Sequence, residues 1–408
     1  MGTHPLSGLF DQPIAREGTE SLKYDGRPAT FGTDDVLPMW VADMDFAVPE
    51  TISKALQTRA SHPVFGYSMA PESLYQAMID WLLNTHDWQV KREWIVLTPG
   101  VVPSLNLVVA ALTAEQAGVI VQPPVYFPFF TAVTNQHRRL IQNPLRLIND
   151  GNPAYQLDLA QLEECAKEAE LLLLCSPHNP VGRVWQKDEL LALLAIAEKH
   201  DLTILSDEIH ADLVYTDAQH IPLSKLSLDS ASASASASEA SHRIITAVSP
   251  SKTFNIPGLG LSALIIPNEA HRRAIQKHLQ HMGVSVTNPF NMAAFEAAYR
   301  EGGEWRQALI AYLQDTRDEA IAFINKHLPA IRVIPPQATY LLWLDCRQLT
   351  LDDAALNRFF IEEAKLGLSP GAMFGRGGEG FMRMNIGTPK ANVMAALSRL
   401  QAALAKSS

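Results

Sequence analysis

The chain has 408 residues, 47% hydrophobic and 19% charged, with a formal charge of −10. That composition belongs to a globular protein too long for one growing core, and the acidic balance without any Lys/Arg run excludes nucleic acid or anionic membrane as the main partner. Cys165, Cys175 and Cys346 are scattered without C-x-x-C spacing and suggest neither a disulfide framework nor a zinc site.

The opening stretch MGTHPLSGLFDQP has no apolar segment of the signal-peptide kind, and no apolar run approaches the roughly 20 residues a membrane span needs. A cytoplasmic protein is therefore expected. Residues 1–47, ending in MWVADMDF, carry no core of their own and are expected to dock onto a smaller C-terminal domain. From about residue 93, short apolar runs alternate with helical patterns: EWIVLTPG, AGVIVQPPVY, ELLLLCSPHNP, DLTILSDEIH, HRIITAVSPSK and GLSALIIP. Continuous apolar strands separated by helices such as KDELLALLAIAEKH predict an α/β domain over 48–288 with a mostly parallel sheet. Ligand sites of such sheets lie at the carboxyl ends of the strands. Asp229–Ser241, DSASASASASEAS, reads as a solvated loop of small residues. Beyond residue 288, long helical patterns surround two short strands, TYLLWLD and FMRMNIG, as expected of a smaller α+β domain over 289–408.

Two stretches imitate a dinucleotide fingerprint, GLGLSA (Gly258–Ala263) and GRGGEG (Gly375–Gly380). The mechanism of that motif needs a strand before the glycines and a helix N-terminus after them. Here strand patterns follow both, so a nicotinamide dehydrogenase is not the reading.

The chemistry concentrates in SPSKTFN, Ser249–Asn255. A lysine at the mouth of a buried strand is a useful nucleophile once desolvation lowers its pKa, and its best-known task is a Schiff base with pyridoxal phosphate. That cofactor also needs an anion cradle, an acid for its pyridine nitrogen, a partner for its phenolic oxygen and a flat surface against its ring. The chain offers these in order. Gly100, Val101 and Val102 in TPGVVPSLNL would present free backbone N–H groups at a helix start. Tyr126 in PPVYFPFF is an aromatic for the ring, and Asn179 in SPHNPVG an amide donor. Asp207 in SDEIHADLVY would keep the pyridine nitrogen protonated, and His210 could reach the phenolic oxygen. Ser249 and Ser251 offer hydroxyls for the phosphate. Each follows an apolar segment of one sheet, and that order carries more weight than any single motif.

SPSKTFNIPGLGLS, SPHNPVGRVW and SDEIHADLVY resemble the lysine, asparagine and aspartate motifs of fold-type I pyridoxal-phosphate enzymes, the class I/II aminotransferase superfamily. PMWVADMDF, FGYSMAPESLYQAMIDWL and LGLSPGAMFGRGGEGFMRMNIGTP are similar to its cystathionine β-lyase branch of C–S lyases. The resemblance implies an aspartate-aminotransferase-like fold with a seven-stranded sheet, Lys252 as the Schiff-base lysine, Asp207 facing the pyridine nitrogen, Tyr126 stacked on the ring and Asn179 on the phenolic oxygen. It implies that Arg383 binds the substrate carboxylate, that Tyr67 reaches the phosphate of a neighbouring subunit, and that the protein is a homodimer with shared active sites. Two positions depart from the aminotransferase pattern: His210 stands where many carry tyrosine, and Gly260 where many carry a phosphate-binding arginine. The implied reaction is α,β-elimination from L-cystathionine or related cysteine conjugates; the rival reading is an aminotransferase on the same cofactor. A regulatory binding protein built on this fold is a further reading, which the intact Lys252, Asp207 and Arg383 argue against.

Overall fold

The computed structural model describes residues 6–149, 151, 153–231 and 242–407. Its strands in chain order are β1 (Leu37–Pro38), β2 (Ile95–Thr98), β3 (Gly118–Val121), β4 (Arg139–Gln142), β5 (Arg146–Ile148), β6 (Ala154–Gln156), β7 (Ala169–Cys175), β8 (Thr203–Asp207), β9 (Ile244–Val248), β10 (Ser262–Ile265), β11 (Arg332–Ile334), β12 (Leu341–Asp345), β13 (Leu366–Gly367), β14 (Ser369–Pro370) and β15 (Phe381–Asn385). Seven of them form one sheet in the order β2-β10-β9-β8-β7-β3-β4, parallel except for β10.

The apolar runs are continuous because this sheet is buried on both faces. Along β7, Leu171 and Leu173 pack with Leu105, Val108, Phe129 and Ile275, whereas Leu172 and Leu174 pack with Leu162, Leu190 and Leu193. Successive side chains point to opposite faces, so a strand between two helical layers needs an apolar residue at every position. All the parallel strands end at one edge, and the register Cys175↔Asp207↔Ala247 brings the ends of β7, β8 and β9 level. β10 runs the other way, so its start, Ser262 opposite Thr98, lies at that same edge.

A second sheet, β11-β12-β15-β14, is antiparallel throughout. The sequence pattern shows only β12 and β15. Arg332–Ile334 and Ser369–Pro370 are too short to display a period, and their pairing partners alone make them strands. The first residues of the expected loop at 229–241 are helical, because Leu223–Ala231 is a helix whose Ser224 hydroxyl bonds Thr246 at 2.7 Å. Residues 232–241 lie outside the described residues. Among the described residues no helix is long and apolar enough to cross a membrane.

The segment around β1 threads between the sheets. β1 pairs with β13, Asn385 N–H donates to the Met39 carbonyl at 2.9 Å, and Asp45 N–H donates to the Gly387 carbonyl at 2.7 Å. Its outer side is held by charge. Lys23, with no exposed surface, donates to Asp45 at 2.8 Å, and Arg16 bonds Asp43 and Asp45, each at 2.7 Å. Losing one partner of a buried pair strands the other charge, at a cost of about 3–5 kcal/mol, so this segment is firmly anchored.

Candidate active site

The shared strand edge opens into a cavity of about 260 Å³. Pro99, Gly100, Val101, Val102 and Pro103 line one side of it, Tyr126, Asn179, Asp207 and His210 line it from the sheet, and Ser251, Lys252 and Gly260 complete it. Residues as far apart in the chain as Pro99 and Leu261 meet here because β2, β3, β7, β8 and β9 end at the same edge of the sheet.

At β2 the chain turns at Gly100 and starts the helix Val101–Leu112. Gly100 has φ +151°, where a side chain is strained. The helix start faces the cavity, and first-turn N–H groups have no intrahelical acceptors, which makes it an anion site. Gly260 faces it with φ +47°, and a Cβ there would sit 3.3 Å from the Pro99 carbonyl. The absence of an arginine at this position thus has a backbone reason.

Lys252 Nζ donates to the Ala42 carbonyl at 2.6 Å. Burial, reinforced by the positive Arg383, brings its pKa down to about 8. A useful fraction of the amine is therefore neutral near physiological pH. Asp207 accepts the Ile209 N–H at 3.1 Å, and burial pushes its carboxyl up to about 7. A carboxylate this reluctant to ionise gains from a cationic partner. His210 is buried, and desolvation followed by repulsion from Lys252 and Arg383 takes it down to about 3. The imidazole is neutral, and its Nδ1 has no hydrogen-bond partner. Tyr126 is held through its own N–H to the Asn179 carbonyl at 3.1 Å, and burial raises its phenol pKa.

Arg383 projects from β15, in the second sheet, toward the first. Its Nη1 donates to Asn179 Oδ1 at 3.1 Å, leaving the amide N–H₂ of Asn179 free to donate. Nη2 donates to the Trp40 carbonyl at 2.8 Å and to Ser369 Oγ at 3.3 Å, while Nε is buried without a partner. The guanidinium lies 4.9 Å from the centre of the Phe374 ring. Burial lowers its pKa only to about 10, so it stays charged.

Two sequence candidates stand apart. Ser249 does not line the cavity: its hydroxyl donates to the Leu261 carbonyl at 2.8 Å and accepts the Ser251 N–H at 3.2 Å. Tyr67 is fully exposed and away from the cavity, on an arm that also exposes Val64, Phe65 and Met69. Sequence reasoning passes over Trp40, Ala42, Ser369 and Tyr340, whose hydroxyl donates to the Ala42 carbonyl at 2.9 Å. Trp40 and Ala42 act through main-chain oxygens, for which no side-chain identity gives a signal.

The remaining groups fit the expected cofactor. The helix start and Ser251 suit a phosphate, the lysine amine an aldehyde, and Asp207 a protonated ring nitrogen. The unpartnered His210 Nδ1 and the spare Asn179 amide suit ring substituents. The model of the aminotransferase class I and II family matches residues 34–400. The chain is 42% identical to cystathionine β-lyase PatB of Bacillus subtilis over 97% of this chain and 99% of that one. Cystalysin from Treponema denticola, which contains a pyridoxal 5′-phosphate cofactor, superposes with a TM-score of 0.91 at 34% identity, covering 98% of this chain and 99% of that one. A pyridoxal-phosphate-bound C–S lyase from Staphylococcus hominis does so with a TM-score of 0.87 at 30% identity, covering 97% of each chain.

Proposed function

The chain belongs to the class I and II aminotransferase family and to its cystathionine β-lyase branch, and we propose that it is a pyridoxal-phosphate-dependent C–S β-lyase. It cleaves L-cystathionine or a related cysteine S-conjugate to a thiol, pyruvate and ammonia. The observation that carries this is the meeting of a lysine of lowered pKa and a buried carboxylate of raised pKa on one cavity, with a buried guanidinium bonded to Asn179 in its wall.

Lys252 would hold the cofactor aldehyde, Asp207 its ring nitrogen, Asn179 and His210 its phenolic oxygen, and Gly100–Val102 with Ser251 its phosphate; Tyr126 would lie on the ring. When bound, the cofactor supplies an electron sink for negative charge at the substrate Cα. Arg383 binds the substrate carboxylate, a bidentate task suited to its planar fork. Lys252, free and neutral, takes the Cα proton as general base. The electron pair of that C–H bond forms the Cα–Cβ double bond as the Cβ–S bond breaks, and sulfur leaves as thiolate. Lys252, now an ammonium held by the Ala42 carbonyl, returns that proton to the leaving sulfur. The released enamine acid takes up water and yields pyruvate and ammonia.

The exposed arm around Tyr67 supports a homodimer in which Tyr67 reaches the partner's phosphate site. A large apolar patch on a chain of this size is a contact surface, and Val102 and Phe127, at the cavity rim and beside Tyr126, are exposed as well. Incubation with L-cystathionine, without any keto acid, should give pyruvate and thiol in equal amounts. Consumption of L-cystathionine only when a keto acid acceptor is supplied, with neither pyruvate nor thiol released, would make the protein an aminotransferase instead.

A further inference from the structure

In the segment Trp40–Phe46 nearly every main-chain oxygen accepts a side-chain hydrogen bond. The Trp40 carbonyl accepts Arg383 Nη2 at 2.8 Å, and the Ala42 carbonyl accepts Lys252 Nζ at 2.6 Å. The oxygens between and beyond them go to two asparagines. Asn385 Nδ2 donates to Val41 at 2.5 Å and Asp43 at 2.7 Å, while its Oδ1 accepts the Gly387 N–H at 2.7 Å. Asn255 Nδ2 donates to Met44 at 2.8 Å and Phe46 at 2.9 Å, and its Oδ1 accepts the Met44 N–H at 2.9 Å. Each amide is fully used, and neither residue lines the cavity.

The placement is paired. Asn385 follows Arg383 by two residues on β15, and Asn255 follows Lys252 by three, at φ +56°, a conformation that Asn and Asp tolerate better than other side chains. Each cation of the site therefore has an asparagine beside it that grips the same strap. We infer that Asn255 and Asn385 are positioning residues that fix the separation of the Lys252 amine and the Arg383 guanidinium by clamping the Trp40–Phe46 strap between them. This rests on the lyase reading, because an α-amino acid must offer its Cα proton to the neutral Lys252 amine while its carboxylate binds the Arg383 guanidinium. Small errors in such a separation cost rate, since reacting atoms must meet at about 3–3.5 Å.

Asn255→Asp and Asn385→Asp keep size and backbone preference but replace two donors with a carboxylate facing two carbonyls. In cofactor-loaded protein, each should lower kcat/KM roughly tenfold or more. Asn385→Asp, beside the Arg383 anchor, should act mainly through KM, and Asn255→Asp, beside the Lys252 anchor, mainly through kcat. Hydrogen–deuterium exchange should speed up in the peptide spanning Met39–Phe46, whose carbonyls lose side-chain donors in each variant, in both the presence and the absence of substrate. If the Asp variants do not fold, Asn255→Ser and Asn385→Ser, which retain one donor, should show smaller shifts in the same directions. Wild-type kinetics in folded variants, with or without faster exchange, would overturn the inference, as would unchanged exchange. A wild-type protein without lyase turnover would defeat the functional reading instead, leaving the exchange arm to test the clamp alone.

Discussion

Lys252→Ala should lose lyase turnover by roughly 10⁴-fold or more, the upper end of what a positioned acid–base group contributes. No other amine can take over, because among the described residues Lys252 is the only lysine that lines the cavity. The loss should appear in kcat rather than in KM, since Arg383 and its bonds to Trp40, Ser369 and Asn179 stay in place. Added methylamine should restore part of the rate if the missing function is that of a base. The variant should fold normally, because the lysine is held at its tip by a single bond to Ala42. Steady-state kinetics with a circular-dichroism control tests this, and a variant with more than a tenth of wild-type kcat would remove Lys252 from the chemistry.

Asp207→Asn should show opposite effects on activity and on stability of the cofactor-free protein. An asparagine cannot hold a ring nitrogen protonated by its charge, so kcat should fall roughly 10²–10³-fold, the scale of losing one preorganised electrostatic contact. Stability responds through linkage. The folded-state pKa of Asp207 is raised by burial from 3.8 to about 7, so between these values the folded chain holds a proton that the unfolded chain has released. Stability from this group is therefore full below pH 4, falls as pH rises through the window, and is lowest above pH 7. At about 1.4 kcal/mol per unit, the cost at pH 8 is on the order of 4 kcal/mol. The cofactor-free Asp207→Asn protein should melt higher than wild type at pH 8 and at about the same temperature at pH 4. Equal melting curves at both pH values would contradict the assignment of a desolvated, unpaired carboxylate. Adding the cofactor should raise the wild-type melting temperature more than that of the variant, because only the carboxylate gains a cation.

The parts of this site that are legible in the sequence share a physical cause. Buried parallel strands write themselves as apolar runs, and the side chain that ends such a run sits at the ligand edge whatever the fold's details. Lys252, Asp207, Asn179 and Tyr126 all follow from that rule, and all line the cavity. Arg383 does not, because it lies inside β15 of the second sheet, where only resemblance to known motifs marks it. Ser249 shows what sequence leaves open: proximity to Lys252 in the chain says nothing about which way a hydroxyl turns, and here it donates to the Leu261 carbonyl. The strap was the least legible element. It works through the carbonyls of Trp40 and Ala42, which every residue type possesses, and its grip depends on Asn255 and Asn385, distant from it by more than 200 positions. Short pairing partners such as β11 and β14 escape for a related reason, since their strand character comes from neighbours rather than from periodicity.

The most direct test is covalent. The purified protein is loaded with pyridoxal 5′-phosphate, treated with borohydride, digested and mapped by mass spectrometry, beside Lys252→Ala treated identically. The account predicts a phosphopyridoxyl group on Lys252 in near-stoichiometric amount, together with loss of the preparation's visible colour on reduction, and neither in the variant. Label spread over surface lysines, or equal labelling of the two proteins, would contradict it.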